Sequence, residues 1–236
     1  MKKKAFIGLF IIVALTFIGV GYYFYPKSVE EKEHLQKITV TKQYEDVSSV
    51  DNEENIVQLY QEKFSNPDII GQLSIPNTNL VVPVAQASDN SYYLDHLLDK
   101  SQNSLGSVYL DYRNQVTDRK LIIYGHNSLK YKTEFHLLEN YLNQSYYDQH
   151  KDIYFQTLND SYHYQIFSVY IATKDYQHVN LLFDNTTYQK HLDWMKQQSI
   201  YDTKIKVSYQ DDILVLQTCD MKQDNAYIIV VAKKVA

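Results

Sequence analysis

The sequence predicts a mainly β domain that also contains a few helices, and three observations support this class. Short runs of β-branched and aromatic residues recur after Pro67 and are separated by turn residues, which is typical of a barrel or a sandwich. The chain contains 23 Tyr against 9 Phe, with only 6 Gly and 4 Pro, which suits strands and argues against disorder. At 236 residues it has room for one domain and an appendage.

The first predicted element is a transmembrane anchor at residues 5–25. This run carries no charge over about the 20 residues that a helix needs to cross a bilayer, and three lysines precede it. A cleaved signal peptide is the alternative, but the run is long for one and no convincing A-x-A site follows. The sequence therefore predicts a single-pass location at the cell membrane, with residues 1–4 as a cytoplasmic tail and the rest on the outer face.

A change of pattern at residue 52 predicts where the folded domain begins. Residues 26–51 are rich in charged and hydroxyl side chains without apolar periodicity strong enough to hold a core, which indicates a stalk that is partly helical. Beyond it, Ile56, Tyr60 and Phe64 recur at helical spacing behind acidic residues. We expect an amphipathic helix there, and one folded domain over residues 52–236.

Nine β-type runs follow this helix, and two further helices interrupt them. The second of these helices has a rough apolar face formed by Tyr188, Leu192, Trp194 and Met195. The β-type runs are 69–75, 80–86, 106–112, 120–125, 153–157, 162–172, 204–209, 213–219 and 227–235, and the helices are 133–142 and 185–200.

Composition and missing motifs exclude several classes of function. A net charge of −5, with no basic run beyond the N-terminal lysines, gives no electrostatic footprint for nucleic acid. One cysteine and no H-E-x-x-H motif leave too few ligands for a zinc site, so no metal is expected. The G-x-S-x-G elbow is also absent, which removes the main support for acyl transfer by a serine.

The one cysteine, Cys219, ends an apolar run and precedes the polar loop DMKQDN. It has no partner for a disulfide within the chain, so its thiol is either a nucleophile or a small buried apolar group. A thiol becomes a nucleophile as thiolate, which a neighbouring histidine favours. Gln217 lies on the same face of the predicted strand, because side chains two positions apart point the same way.

Among eight histidines, His126 has the position best suited to be that neighbour. It follows the apolar run LIIY through a glycine, in the sequence YGHN, where a central strand ends and a loop begins. Catalytic side chains favour such loop positions, although a structural histidine is the alternative. We expect surface positions for His136, His150 and His191, and an exposed strand end at His178.

Taken together, these motifs resemble the class B sortases of Gram-positive bacteria. The resemblance rests on the N-terminal anchor and on IIGQLSIPNTNLVVPVAQASDNSYYL, GSVYLDYRN, IIYGHN and LVLQTCD, and it runs from about residue 52 to the C-terminus. The helix predicted at 185–200 falls where class B members carry one before the cysteine strand. The resemblance implies an eight-stranded β-barrel with an N-terminal helix, and a cysteine transpeptidase without metal or cofactor.

The resemblance also implies substrates and roles for particular residues. Such an enzyme cuts the C-terminal sorting signal of a secreted protein, holds it as a thioester and passes it to a peptidoglycan-precursor amine or a pilin lysine. Cys219 would be the nucleophile and His126 its acid and base. The signal-peptide groove would be lined by Asn90, Leu94, Gln217 and Asp220, each of which could instead be a turn or packing residue.

The chain departs from the family pattern at the arginine that follows the cysteine strand and binds the substrate carbonyl. Alignment of the terminal strands puts Tyr227 there, and the sequence contains no arginines besides Arg113 and Arg119. A tyrosine hydroxyl donates one neutral hydrogen bond but lacks the charge and the bidentate fork of a guanidinium. Lys222 is a second candidate cation, and we expect Arg113 to support the barrel through an ion pair.

Two other functions stay open at this point. A weak or inactive sortase-like protein would bind sorting signals, or assist pilus assembly, without turning the signals over. A simple cysteine protease would use water instead of an amine. The reactivity of Cys219 distinguishes the first from an enzyme, and the products formed with and without an amine distinguish the second.

Overall fold

The computed structural model describes residues 25–47, 55–173 and 175–235. Residues 25–47 are helical and are called α1 below. The predicted cytoplasmic tail and, apart from Tyr25, the predicted anchor at residues 5–25 lie outside these ranges. The predicted single-pass membrane location is corrected here, because no helix in the described ranges is both long and apolar enough to cross a bilayer.

Helix α1 packs against the domain along the second half of its length. Val40, Tyr44 and Val47 recur at helical spacing and are buried in the main core. The buried Lys37 side chain also forms an ion pair with Glu134 at 2.8 Å. The sequence analysis found too little apolar periodicity here to hold a core, whereas three well-spaced residues suffice. The division of the chain into a stalk and a domain at residue 51 stays a prediction.

Eight strands close into one barrel within the described residues, which confirms the predicted fold class. The strands are β1 Ile69–Ser74, β2 Val81–Ala85, β3 Tyr109–Leu110, β4 Lys120–Tyr124, β5 Asp152–Thr157, β6 Ser161–Ala172, β7 Ile213–Cys219 and β8 Tyr227–Lys234. Their order is β1-β2-β3-β4-β7-β8-β6-β5, and β5 pairs with β1 to close the barrel. The β2–β3 and β4–β7 pairs are parallel, and the other neighbours are antiparallel.

Helices cover one end and one side of the barrel. Three of them begin at side-chain caps: Asn55 accepts from the Val57 amide, Asn143 accepts from the Ser145 amide, and Asp184 forms a capping box with Thr187. The segment predicted as a helix at 133–142 is a 3₁₀ helix. The α-helices are α2 Ile56–Phe64, α3 Gln144–Gln149 and α4 Asn185–Gln198, and the 3₁₀ helices are Tyr92–Leu94, Glu134–Leu142 and Gln177–Val179.

Strands β4, β7 and β8 are covered on both faces. Leu214 and Leu216 of β7 belong to the main core, whereas Val215 between them packs in a second core with Leu192 and Met195 of α4. Strands with two buried faces appear in a sequence as continuous apolar runs. Since Cys219 is an even number of residues after Val215, it lies on the outer face of the barrel, the same side as α4.

The prediction of a strand at residues 204–209 is wrong, because the structure has no strand there. This segment runs outside the barrel, and Ile205 and Val207 pack against the second core. Lys204 has a φ of 63°, in the left-handed region, which breaks an extended conformation at its start. The described barrel is closed, so it leaves no strand edge for this segment to pair with.

Candidate active site

The parallel pairing of β4 with β7 brings His126 and Cys219 to the same end of the barrel. Tyr124 pairs with Gln217, and each of the two residues of interest lies two positions further on. Adjacent strands are about 4.8 Å apart. The chains stay joined beyond β4, because the Gly125 amide donates to the Gln217 carbonyl at 3.2 Å. A histidine and a thiol therefore stand on neighbouring strand ends.

Gly125, which precedes His126, is required by close packing with Phe135. A Cβ atom at position 125 would lie 2.6 Å from Cγ of the Phe135 ring, much closer than carbon atoms approach in proteins. Phe135 is fully buried in the main core and has no room to move away. The loop of residues 126–133 follows β4 and is called the histidine loop below. The glycine of the YGHN sequence lets this loop leave β4 directly over the Phe135 ring.

The Cys219 thiol and the His126 imidazole have different surroundings in this structure. Cys219 is half-buried and free, and burial raises the pKa of its thiol. His126 Nε2 lies 2.6 Å from the Leu94 carbonyl oxygen, and this nitrogen donates because the carbonyl can only accept. The Thr133 hydroxyl also donates to the His126 carbonyl at 2.6 Å. The His126 imidazole is thus held by the Leu94 carbonyl, and the thiol lies in surroundings that favour its protonated form.

Tyr227 and Tyr109 lie near the thiol. Tyr227 is the direct partner of Cys219 in the β7–β8 pair, and its ring meets that of Tyr176 edge to face at 5.4 Å. Burial, then the nearby Cys219 and Tyr176, raises the pKa of Tyr227, which therefore remains a protonated donor. Tyr109 is buried close by, and burial together with Asp111, Cys219 and Tyr227 raises its pKa. The sequence analysis missed Tyr109 and Tyr176.

Comparison with known proteins identifies the family to which this arrangement belongs. A family model described as Sortase domain matches residues 73–235. Sortase B of Listeria monocytogenes is 32% identical over 232 residues, which cover 95% of this chain and 94% of that protein. Sortase B of Staphylococcus aureus is 30% identical over 241 residues, covering 99% and 98%.

The chain belongs to the sortase family. Solved structures agree with this assignment. Clostridium perfringens sortase B has a TM-score of 0.71 at 29% identity, covering 76% of this chain and 99% of that one. A sortase B complexed with triglycine has a TM-score of 0.75 at 28% identity, covering 87% and 98%. The relatives are class B sortases, as the motifs indicated, and this protein is a sortase-type cysteine transpeptidase.

Asn90, predicted to line the groove of this sortase, is engaged within the protein. Its Nδ2 donates to Asp111 Oδ2 at 3.1 Å, and its Oδ1 accepts from the Tyr112 amide at 2.9 Å. Asp111 is fully buried and forms a bidentate ion pair with Arg113. The predicted ion pair of Arg113 is therefore confirmed, and it holds the loop that carries Asn90 against β3.

The other predicted groove residues of the sortase differ in what they offer a substrate. Leu94 is 45% exposed and presents apolar surface next to His126. Gln217 Oε1 instead accepts from His178 Nε2 at 2.8 Å, and Asp220 Oδ1 accepts from the Lys222 amide at 3.0 Å in the loop after the cysteine. Substrate contacts by Asn90, Leu94, Gln217 and Asp220 stay predictions.

A buried cluster beside the sortase site was missed, and the expected surface positions of His178 and His191 are wrong. Lys120 Nζ donates to the carbonyls of His178 at 2.7 Å and Asn180 at 2.6 Å, and it lies 2.9 Å from His191 Nε2.

Burial, as the main cause, lowers the pKa of Lys120 well below its usual value, that of His178 to about 4 and that of His191 to about 3. The cluster ties residues 178–180 to β4 next to Gln217. A lysine beginning an apolar strand was the signal that could have revealed it.

Proposed function

We propose that this sortase cleaves the C-terminal sorting signal of a secreted protein, holds it as a thioester on Cys219 and transfers it to an amine. The β4–β7 register carries this proposal, since it sets a thiol and an imidazole on adjacent strand ends. Family membership supports the transpeptidase reaction. The relative solved with triglycine, whose terminal amine would be an acceptor, supports an amine as second substrate.

The proposed reaction has two steps, acylation of Cys219 and transfer to the acceptor amine. Once His126 has taken the thiol proton, the Cys219 thiolate attacks the scissile carbonyl, a C–S bond forms, the C–N bond breaks and His126 gives that proton to the departing amine. The acceptor amine next attacks the thioester and loses a proton to His126, and Cys219 leaves as thiolate. His126 must first turn from the Leu94 carbonyl toward the thiol, which substrate bound along the exposed Leu94 side chain would favour.

Tyr227 is assigned to the oxygen that becomes negative in each step. Its position opposite Cys219 and its raised pKa support a neutral hydroxyl donor there. A neutral donor stabilises an oxyanion less than a guanidinium does, because charge-assisted hydrogen bonds are roughly twice as strong. The proposal is therefore a slow or specialised sortase, whose acceptor is a peptidoglycan-precursor amine or a pilin lysine.

Incubation with a panel of candidate sorting-signal peptides, with and without triglycine, tests the proposal by mass spectrometry. We expect an acyl adduct on Cys219 in the absence of triglycine and a peptide joined to triglycine in its presence. Cys219→Ala should abolish both products, and His126→Ala should slow acylation by about 10² to 10⁴. Cleavage that never joins the peptide to triglycine would indicate a protease, and turnover by Cys219→Ala would end the proposal.

Binding of sorting signals without turnover is the second candidate, and the positions of the two arginines favour it. Arg113 is held by Asp111 and the Val179 carbonyl, and Arg119 lies beside Asp212, so both guanidinium groups already have carboxylate partners. A mild thiol reagent separates the two functions, because an enzyme's cysteine is labelled quickly and an inert buried thiol slowly. Slow labelling combined with tight peptide binding would favour this candidate.

A further inference from the structure

Asn127, the last residue of the YGHN sequence, has every polar atom of its side chain engaged. It is 6% exposed. Its Nδ2 donates to the Cys219 carbonyl at 3.0 Å and to Glu139 Oε1 at 2.6 Å, while its Oδ1 lies 2.8 Å from His136 Nδ1. Peptide-bonded to His126 and hydrogen-bonded to Cys219, it joins the histidine loop directly to the cysteine.

The chemistry of its partners fixes the orientation of this amide. The Cys219 carbonyl and the Glu139 carboxylate can only accept, so the nitrogen of Asn127 has to face both of them. The Asn127 oxygen must then accept, and His136 Nδ1 must carry a hydrogen. The flipped amide would set its oxygen against two acceptors, so only the observed orientation satisfies all three partners. A buried amide that lost these partners would cost the full desolvation of its polar atoms.

We propose that Asn127 is a positioning residue that sets the Cys219 thiol relative to His126, with Glu139 and His136 holding its amide in place. This inference rests on the proposed roles of Cys219 and His126. Reacting groups must be held within a few tenths of an ångström, and a misplacement of about 1 Å can cost 10²-fold in rate. A link from the residue after the histidine to the cysteine's own carbonyl controls that separation more directly than general packing does.

Substitution of Asn127 by aspartate separates positioning from stability. Asn127→Asp keeps the shape of the side chain but removes both donors and sets a carboxylate against Glu139. In the double variant Asn127→Asp/Glu139→Gln, the new amide at position 139 can donate to the new carboxylate at position 127. That pair restores the link to the 3₁₀ helix and leaves the Cys219 carbonyl without its donor.

Asn114 provides a matched control at the opposite end of β4. It is 4% exposed, its Nδ2 donates to the Asp118 carboxylate at 3.1 Å and to the Lys120 carbonyl at 2.8 Å, and its Oδ1 accepts from the Ile122 amide at 3.0 Å. Asn114→Asp therefore removes the same kinds of hydrogen bond far from the thiol. We expect it to lower the melting temperature without changing the reactivity of Cys219.

The pH profile of Cys219 alkylation by iodoacetamide is the main readout, alongside melting temperature, because it requires no knowledge of the substrate. We expect Asn127→Asp to lower both melting temperature and alkylation rate, and the double variant to recover the melting temperature while alkylation stays about tenfold or more below wild type. Recovery of both together, or an equal alkylation defect in Asn114→Asp, would overturn positioning by Asn127. Failure of the wild type to form a peptide adduct would instead count against the proposed function alone.

Discussion

Tyr227 lies directly opposite Cys219 on the neighbouring antiparallel strand, as the first residue of β8 against the last of β7. Directly opposed residues in such a pair have Cβ atoms about 4.5 to 5.5 Å apart on the same face of the sheet. The phenol thus occupies the surface from which a substrate carbonyl would be attacked. In the proposed mechanism, this ring is the group placed to stabilise the tetrahedral intermediate.

Removing the Tyr227 hydroxyl should slow acylation of Cys219. We expect Tyr227→Phe to lower the single-turnover rate toward the loss of about 10² to 10³ seen when an oxyanion donor is removed, and Tyr227→Arg to raise the rate. Tyr154→Phe, on β5, is the control for loss of a phenol that is 39% exposed. Unchanged acylation in Tyr227→Phe would exclude the hydroxyl from the reaction.

A methyl group at position 125 should disturb the histidine loop through Phe135. Overpacking of a core costs about 1 to 3 kcal/mol, and we expect Gly125→Ala to lower the free energy of unfolding in urea by that amount, since its Cβ would meet the ring at 2.6 Å. The added variant Phe135→Leu should partly relieve this effect in the double mutant. If the two substitutions destabilised additively, the predicted clash would not be the cause.

The β class and the strand ends that carry His126 and Cys219 could be predicted because they depend on patterns that survive in one sequence. The apolar run before Cys219 and the run before His126 have two buried faces, and each ends at a polar loop, so their ends were identifiable. Their parallel pairing was not predicted, because the periodicity within each run does not show which strands become neighbours. The strand prediction for residues 204–209 failed because the apolar residues of this segment pack on the second core. Periodicity alone cannot distinguish such packing from pairing with a neighbouring strand.

Buried polar contacts could not be predicted in the same way. Lys120 and His191 are 71 positions apart, and Asn127 and Cys219 are 92 apart, so local sequence contains no sign of either contact. His191 was placed at the surface because it lies in a polar helical stretch, and His178 because it flanks an exposed-looking strand end. Only the packing of α4 and of residues 178–180 over β4 encloses them.

Acidification should destabilise the protein through His178 and His191. Burial lowers their folded pKa values to about 4 and about 3 from an ordinary 6.5, so below that pH the unfolded chain binds protons that the folded chain excludes. Their contribution is fully present above about pH 6.5 and is lost progressively as the pH falls from there through the folded values of about 4 and about 3. Lys120, whose pKa is lowered too, acts in the same direction.

Urea unfolding between about pH 8 and pH 4.5 measures this effect, which should amount to a few kcal/mol because one pKa unit is worth about 1.4 kcal/mol. His191→Gln keeps an acceptor for Lys120 and removes a titrating group, so its unfolding free energy should depend less steeply on pH. His163→Gln, at a half-buried position beside Asp152 on the barrel surface, is the control. An equally steep dependence in His191→Gln would show that other groups cause the acid instability.

Helix α1 should contribute to stability through its buried ion pair. Lys37 and Glu134 have side chains only 10% and 11% exposed, whereas Lys130 and Glu30, which also join α1 to the histidine loop, are 57% and 53% exposed. Removing one partner of a buried pair leaves an uncompensated charge and costs about 3 to 5 kcal/mol, while exposed pairs contribute less than about 1 kcal/mol. We therefore expect Lys37→Met to destabilise the full chain far more than Lys130→Met.

Urea unfolding, which measures the effects of Lys37→Met and Lys130→Met, also tests the domain boundary predicted at residue 52. A chain of residues 52–236 lacks the buried side chains of Val40, Tyr44 and Val47, and burial of each such side chain is worth about 1.5 to 3 kcal/mol as an upper estimate. We expect residues 52–236 to unfold at a lower urea concentration than residues 25–236. The shorter chain lacks Lys37, so the effect of Lys37→Met applies only to the longer one. If residues 52–236 were as stable as the longer chain, α1 would be a stalk that only touches the domain. A stability loss comparable to that of Lys37→Met or larger would move the start of the folded domain into α1.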